Sequence, residues 1–273
     1  MKINGKILIS LLLAAVILLS VVIKLNLKTT NISEVMSVDW GLSFQNKGDA
    51  PVGNVNNAEL KKYGAAFLGD VKENKIYLTF DAGYEAGYTE KILDVLKEEN
   101  VKACFFIVGN YLETAPDLVK RMVNEGHIVG NHTVNHYSMP DIDDSKIKKE
   151  LLDLHAAVHE KTGYEMQYMR PPKGEFSERT LQLTSNLEYV TVMWSLAYDD
   201  FDEKNQKGEE YAKSKILDNI HPGAIILLHA TSKDNANVLD YCIKEIRNMG
   251  YEIKNIDEFE NMKVSADISA FEN

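Results

Sequence analysis

From Lys75 onward, short β-branched and apolar runs alternate with longer amphipathic stretches, and this constrains the fold more than any other feature. The strand candidates are residues 76–80, 103–108, 127–130, 166–170, 189–194, 224–228 and 251–256. Helical stretches lie between them, near 88–99, 115–125, 143–161, 177–186, 209–219 and 236–248. In the third, Ile147, Leu151, Leu154 and Val158 form one apolar stripe at helical spacing. Ser145 or Asp144 is placed to cap its start and Gly163 its end. Strand–helix alternation of this kind builds a parallel sheet covered by helices. Seven strands imply an α/β fold of the distorted, incomplete (β/α)7 barrel type, with a doubly wound open sheet as the alternative.

The chemistry sits at the ends of these strands. Asp81 follows the first, His132 and His136 the third, and Arg170 ends the fourth. Asp199 and Asp200 come shortly after the fifth, and His229 ends the sixth. Carboxyl ends of barrel strands form the active face, so these titratable groups are expected to converge on one pocket. His132 and His136 would face the same way on a helical turn, a spacing suited to one divalent metal. His155 and His159 have the same spacing inside the 143–161 helix, where a structural role near the helix C-terminus is expected. Asp81 reads as a general base or a ligand, and His229, in apolar surroundings, as a general acid. Arg170, before Pro171 and Pro172, would need a carboxylate partner if buried, and Asp81 or Asp200 could serve. His127 and His221 fall at the opposite, structural face. Cys104 and Cys242 read as small core hydrophobes; two cysteines are too few for a disulfide scaffold or a thiolate zinc site.

The N-terminal segment is different in kind. Lys2 and Lys6 precede an apolar run over residues 7–23, broken only by Ser10 and Ser20. This reads as an export signal or a membrane anchor, with an uncleaved anchor favoured because bulky residues stand where a cleavage site needs small ones. Residues 1–28 hold four lysines and no acid, so the rest is more acidic than the overall charge of −11. That balance argues against nucleic-acid binding, which needs a basic face. The domain reading is 1–28 signal or anchor, 29–73 stalk and lead-in with a short helix within 58–68, 74–262 catalytic domain, and 263–273 tail.

Five segments carry a resemblance. Thr79-Phe80-Asp81, His132-Thr133-Val134-Asn135-His136, Arg170-Pro171-Pro172-Lys173-Gly174, the Trp194 to Phe201 region and Leu227-Leu228-His229 resemble, in order, the motifs of the NodB-type polysaccharide deacetylases. The wording around Asp81-Ala82-Gly83-Tyr84, Arg170 to Thr180 and His221 to Ala230 is similar to the delta-lactam-biosynthetic de-N-acetylases of spore-forming bacteria. The resemblance implies metal-dependent removal of the acetyl group from N-acetylmuramic acid of spore-cortex peptidoglycan, with a muramic delta-lactam forming afterwards. It implies Asp81 as base and further metal ligand, His132 and His136 as ligands, and His229 as acid. Asp200 would orient His229, and Arg170 would position the carboxylates. It implies a divalent ion, with Zn²⁺ as first candidate, glycan strands as partner, and an extracytoplasmic location at the wall or spore envelope. N-acetylglucosamine units are the alternative substrate, and a catalytically weak wall-binding relative is the other alternative. Three positions depart from the wider pattern: Ala82 where a second acid ligates the metal, Lys173 where an aromatic is common, and Phe201 for the usual Trp.

Overall fold

A computed structural model describes residues 37–258. The expected anchor segment 1–28 and the tail 263–273 lie outside the described residues. Among the described residues no helix is long and apolar enough to cross a membrane. In chain order the strands are β1 (Val38–Asp39), β2 (Leu42–Ser43), β3 (Val52–Gly53), β4 (Ala65–Ala66), β5 (Lys75–Ala82), β6 (Cys104–Ile107), β7 (Ile128–Asn131), β8 (Tyr168–Met169), β9 (Glu175–Phe176), β10 (Val190–Val192), β11 (Ile225–His229) and β12 (Glu252–Lys254). The helices are α1 (Asn57–Lys61), α2 (Thr89–Glu98), α3 (Gly109–Thr114), α4 (Pro116–Asn124), α5 (Asp144–Thr162), α6 (Glu178–Asn186), α7 (Glu209–Leu217) and α8 (Lys233–Asn248).

The main sheet runs β11-β5-β6-β7-β8-β10-β4, with β12 paired to the first residues of β5. All of its ladders are parallel. The seven expected strands are present, and β4 is an addition. Between β10 and β11 no ladder forms; irregular backbone spans the gap. Ser195 N–H donates to the Ile225 carbonyl at 2.9 Å, and Leu227 N–H donates to the Leu196 carbonyl at 2.8 Å. The sheet is therefore a curled, distorted barrel rather than an open doubly wound sheet.

Strand alternation sorts the two faces. On β5, Ile76, Leu78, Phe80 and Ala82 point to the helices, with Phe105 and Ile107 of β6 and Ile226 and Leu228 of β11. Tyr77, Cys104, Phe106, Ile128, Tyr168, Val192 and Ile225 form a second cluster, the packed floor of the barrel. Above it on the inner face of β5 stand Thr79 and then Asp81, so one alternating strand supplies both floor and site. Cys104 and Cys242 are buried and free.

The lead-in differs from expectation. Its described part is not a stalk: β4 is the edge strand beside β10, β1 pairs antiparallel with β9, and Gly69 N–H donates to the Gly223 carbonyl at 2.8 Å. Backbones meet there so closely that a Cβ on Gly69 would lie 3.1 Å from Gly223 Cα. The helix within 58–68 is the short α1, and its N-cap Asn56 accepts from Glu59 N–H. At α5 the cap is Asp143, whose carboxylate accepts from Lys146 N–H, not Asp144 or Ser145; Gly163 closes the other end at φ 71°.

Candidate active site

Register brings the reactive groups together. The parallel β5–β11 ladder sets His229 opposite Asp81, Leu227 opposite Thr79 and Ile225 opposite Tyr77. The two strand-end residues thus open onto the same cavity, of about 940 Å³, which His132, His136, Lys173 and Trp194 also line. The size suits a sugar unit within a glycan.

Arg170 organises the centre. It is fully buried, and its guanidinium has four acceptors. Nη1 donates to Asp81 Oδ1 at 2.7 Å and Nη2 to Thr79 Oγ1 at 2.8 Å. Nε donates to the Val192 carbonyl at 3.0 Å, and Nη2 also reaches the Met193 carbonyl at 3.4 Å. The guanidinium lies 4.3 Å over the Phe106 ring, on the barrel floor. Of the two carboxylates considered as its partner, Asp81 takes the role; Asp200 serves His229. Burial alone would push the Asp81 carboxyl up. The Arg170 charge, with His132, His229 and the Arg170 hydrogen bond, outweighs that and holds it below the usual carboxylate range.

The carbonyl of the same arginine fixes His132. His132 Nδ1 lies 2.8 Å from the Arg170 carbonyl, which can only accept, so Nδ1 carries the proton and Nε2 presents a lone pair. That Nε2 is 3.1 Å from His136 Nε2 and 3.5 Å from Asp81 Oδ2. The two histidines do not share a helical turn as expected. They sit on a loop after β7 in which Thr133 and His136 have φ of 66° and 57°. Left-handed backbone at Thr133 turns the chain so that the two rings meet edge to face, centroids 4.7 Å apart. Burial, reinforced at His136 by neighbouring His132, holds both imidazoles neutral, with His136 pushed down to about 4.

Neutral imidazoles are the form a metal binds. Ligands about 2.0–2.2 Å from a tetrahedral divalent ion lie at roughly the mutual spacings found here, so the donor chemistry fits such an ion. Among the described residues no group of three or more His, Cys, Asp or Glu side chains makes a complete ligand cluster. The ion would therefore rest chiefly on His132 and His136, with Asp81 Oδ2 beside them. Ala82 supplies no carboxylate: it is fully buried on the helix side of β5.

His229 is not in apolar surroundings, contrary to expectation. Its side chain is 26% exposed, and its Nδ1 is 2.7 Å from Asp200 Oδ1. Asp200 Oδ2 accepts from His229 N–H at 2.8 Å and from the Asn235 side chain. Burial opposes charge on the imidazole, but the Asp200 carboxylate, its hydrogen bond and Asp81 outweigh burial and raise its pKa above the usual histidine range. Asp199 instead pairs with Lys207.

Several supporting residues were not anticipated. Asn131 accepts from Thr133 N–H at 2.9 Å and donates to the Leu151 carbonyl and Tyr189 hydroxyl. Buried Glu150 accepts from Asn135 N–H at 2.7 Å and from its side-chain amide, pinning the histidine loop to α5. An acid three residues after Ile147, on the edge of the apolar stripe, was the available signal. His155 and His159 bind Glu165, and His155 also meets the Tyr189 hydroxyl, in keeping with a structural role. His221 bonds Ser195 and buried His127 accepts from Ala103 N–H, both away from the site.

Lys173 and Gly174 form a left-handed turn, φ 61° and 72°, braced by Gly174 N–H donating to the Pro171 carbonyl at 3.1 Å. A Cβ on Gly174 would stand 2.7 Å from the Trp194 ring. Gly174→Ala should therefore destabilise the protein by about 1–3 kcal/mol and weaken turnover, checked by urea denaturation beside an activity assay. Unchanged stability would mean that the turn relaxes freely.

Comparison with known proteins decides the family. A family profile described as polysaccharide deacetylase matches residues 68–192. The chain is 44% identical over 223 residues to the peptidoglycan-N-acetylmuramic acid deacetylase PdaA of Bacillus subtilis, covering 81% of this chain and 85% of that protein. The chain belongs to the polysaccharide deacetylase family. The solved structure of Bacillus subtilis PdaA, a family 4 carbohydrate esterase, superposes with a TM-score of 0.80 over 84% of this chain and 98% of that one. An uncharacterized 30.6 kDa protein of Geobacillus stearothermophilus is 53% identical, over 81% of this chain and 84% of its own length. A peptidoglycan-N-acetylglucosamine deacetylase of Bacillus cereus is 33% identical, over 70% of each chain. The polysaccharide deacetylase fold accounts for the curled parallel sheet, and its enzymes hydrolyse N-acetyl amide bonds with a divalent metal.

Proposed function

We propose that the chain de-N-acetylates N-acetylmuramic acid of peptidoglycan outside the cytoplasmic membrane. The observation that carries this is the register of β5 and β11, which sets Asp81 and His229 side by side at the mouth of one cavity with the His132–His136 pair. The name of the Bacillus subtilis relative supplies the sugar. Export or anchoring through residues 1–28, and the later closure of a lactam in spore cortex, belong to the same reading.

His132 and His136 would hold the divalent ion, Zn²⁺ in the first instance, with Asp81 Oδ2 as a further donor. When bound, the ion lowers the pKa of water and polarises the acetamide carbonyl. Asp81, with Oδ1 taken by Arg170, offers Oδ2 to accept the proton of the attacking water. His229 has Nδ1 engaged by Asp200, so its Nε2 gives a proton to the departing amine nitrogen as the carbon–nitrogen bond breaks. The products are acetate and a free sugar amine. The Lys173 backbone N–H, on a turn held by Gly174 and Glu175 bonds, would donate to the acetyl oxygen.

The test is incubation of the protein with muramic-acid-containing glycan, with and without added divalent ions, and mass spectrometry of the sugars. Acetyl loss from muramic residues is expected, abolished by chelation and restored by metal. Loss from glucosamine alone would favour the second reading, which the name of the Bacillus cereus relative supports. Tight glycan binding with no loss under any ion would support the inactive alternative suggested by Ala82.

A pH effect follows from His229. Its acid form is the working form, and Asp200 raises its pKa. Asp200→Asn should therefore move the alkaline limb of the kcat profile to lower pH. A limb that stays in place would remove Asp200 from this role.

A further inference from the structure

We propose that Lys173 binds the free lactyl carboxylate of the muramic acid residue and so sets the preference for muramic acid over glucosamine units. This deepens the deacetylase reading above and rests on it.

Lys173 is the only lysine or arginine on the wall of the active-site cavity among the described residues. No described side chain forms an ion pair or hydrogen bond with its ammonium group. The acids that line or border this cavity, in contrast, each face a basic side chain. Asp81 is held by Arg170 at 2.7 Å, Asp200 faces His229 at 2.7 Å, and Asp199 pairs with Lys207. Lys173 is therefore the unmatched positive charge of a cavity in an acidic protein. It lines the same cavity as His132 and His136.

Its root is also fixed. Pro171 and Pro172 stiffen the approach, and the Gly174 carbonyl accepts from Trp40 N–H at 3.0 Å. Gly174 packs against the Trp194 and Trp40 side chains. The turn thus fixes where the lysine stem leaves the backbone, while the exposed side chain keeps the reach to meet a ligand in the cavity.

The substrate chemistry matches. In muramic acid the lactyl ether hangs from the ring carbon next to the one bearing the acetamide. With the acetamide at Asp81, the histidine pair and His229, the lactyl group leaves the neighbouring ring carbon inside the same cavity that Lys173 lines. Glucosamine has only a neutral hydroxyl there, which leaves the ammonium nothing to neutralise. A charge-assisted hydrogen bond at this point discriminates between the two by more than a neutral contact would.

The test uses the full chain, loaded with its divalent ion, and two glycans. One carries free lactyl carboxylates; in the other these are converted to primary amides. The wild type should favour the carboxylate in kcat/KM by about 10- to 100-fold. Lys173→Met, unbranched and so no harder to hold at positive φ, should bring the ratio close to one, chiefly by raising KM. Lys173→Arg should keep most of the preference. Lys173→Gln serves the same comparison if the Met variant is not recovered. A ratio unchanged on removing the charge, or no preference in the wild type, overturns the proposal. Turnover of N-acetylglucosamine oligomers with neither muramic glycan attacked would instead overturn the functional reading beneath it.

Discussion

Asp81→Asn should lower kcat/KM by about 10²- to 10⁴-fold while the chain still folds. The asparagine oxygen can still accept from Arg170 Nη1, so the hydrogen bond now 2.7 Å long has a replacement. What goes is the negative charge at Oδ2, the atom 3.5 Å from His132 Nε2, and with it the acceptor for the water proton and one donor to the ion. The variant also leaves a fully buried guanidinium without its counter-charge, so some stability is lost as well. The two effects separate experimentally. Turnover is measured well below the melting transition, and the fold by circular dichroism under the same conditions. A folded variant with near wild-type turnover would take Asp81 out of the proton transfer.

Arg170→Met should cost about 3–5 kcal/mol, because it strips one partner from a buried ion pair. For a chain of this size that corresponds to a fall in Tm of about 6–20 °C. The loss reaches beyond the pair. Thr79 Oγ1 and the carbonyls of Val192 and Met193 lose their donor, and Phe106 loses the cation on its face. Arg170→Lys should recover little, since one ammonium cannot reproduce a planar fork aimed at several acceptors. Because the Arg170 main-chain carbonyl also orients His132, any backbone shift on losing the guanidinium disturbs the histidine pair. Thermal melting and urea unfolding would register the effect; a Tm within 2 °C of wild type would contradict it.

Strands and strand ends were legible because their signals are local. A run such as 76–80 alternates between two buried faces, and the residue that follows it must emerge at the rim. Asp81, Arg170 and His229 stand at or just beyond such strand ends. The edge strand β4 was not legible, since Ala65 and Ala66 have no strand preference and pair only because β10 lies beside them. In sequence the histidine loop looks like a helical turn, because positive φ at Thr133 and His136 leaves no mark there. Spacing alone cannot distinguish His132 and His136 from His155 and His159; that distinction depends on which strand end or helix face carries them. Glu150 and Tyr189 escaped because they reach the site from distant elements, Glu150 onto the histidine loop and Tyr189 onto Asn131, which adjoins that loop. The apolar setting expected for His229 ignored Asp200, which arrives from the irregular segment after β10.

The site is also assembled from distant parts of the chain, which bears on when it can exist. The Thr79 hydroxyl and the Ile226 carbonyl it bonds are 147 residues apart. β4 must wait for β10, β1 for β9 and β5 for β11. Pairings of such separation form late, after their loop-closure entropy has been met. During synthesis Asp81 emerges long before Arg170 can neutralise it or His229 can face it. Activity is therefore a property of the finished chain, and a nascent or truncated one carries the acid without its chemistry.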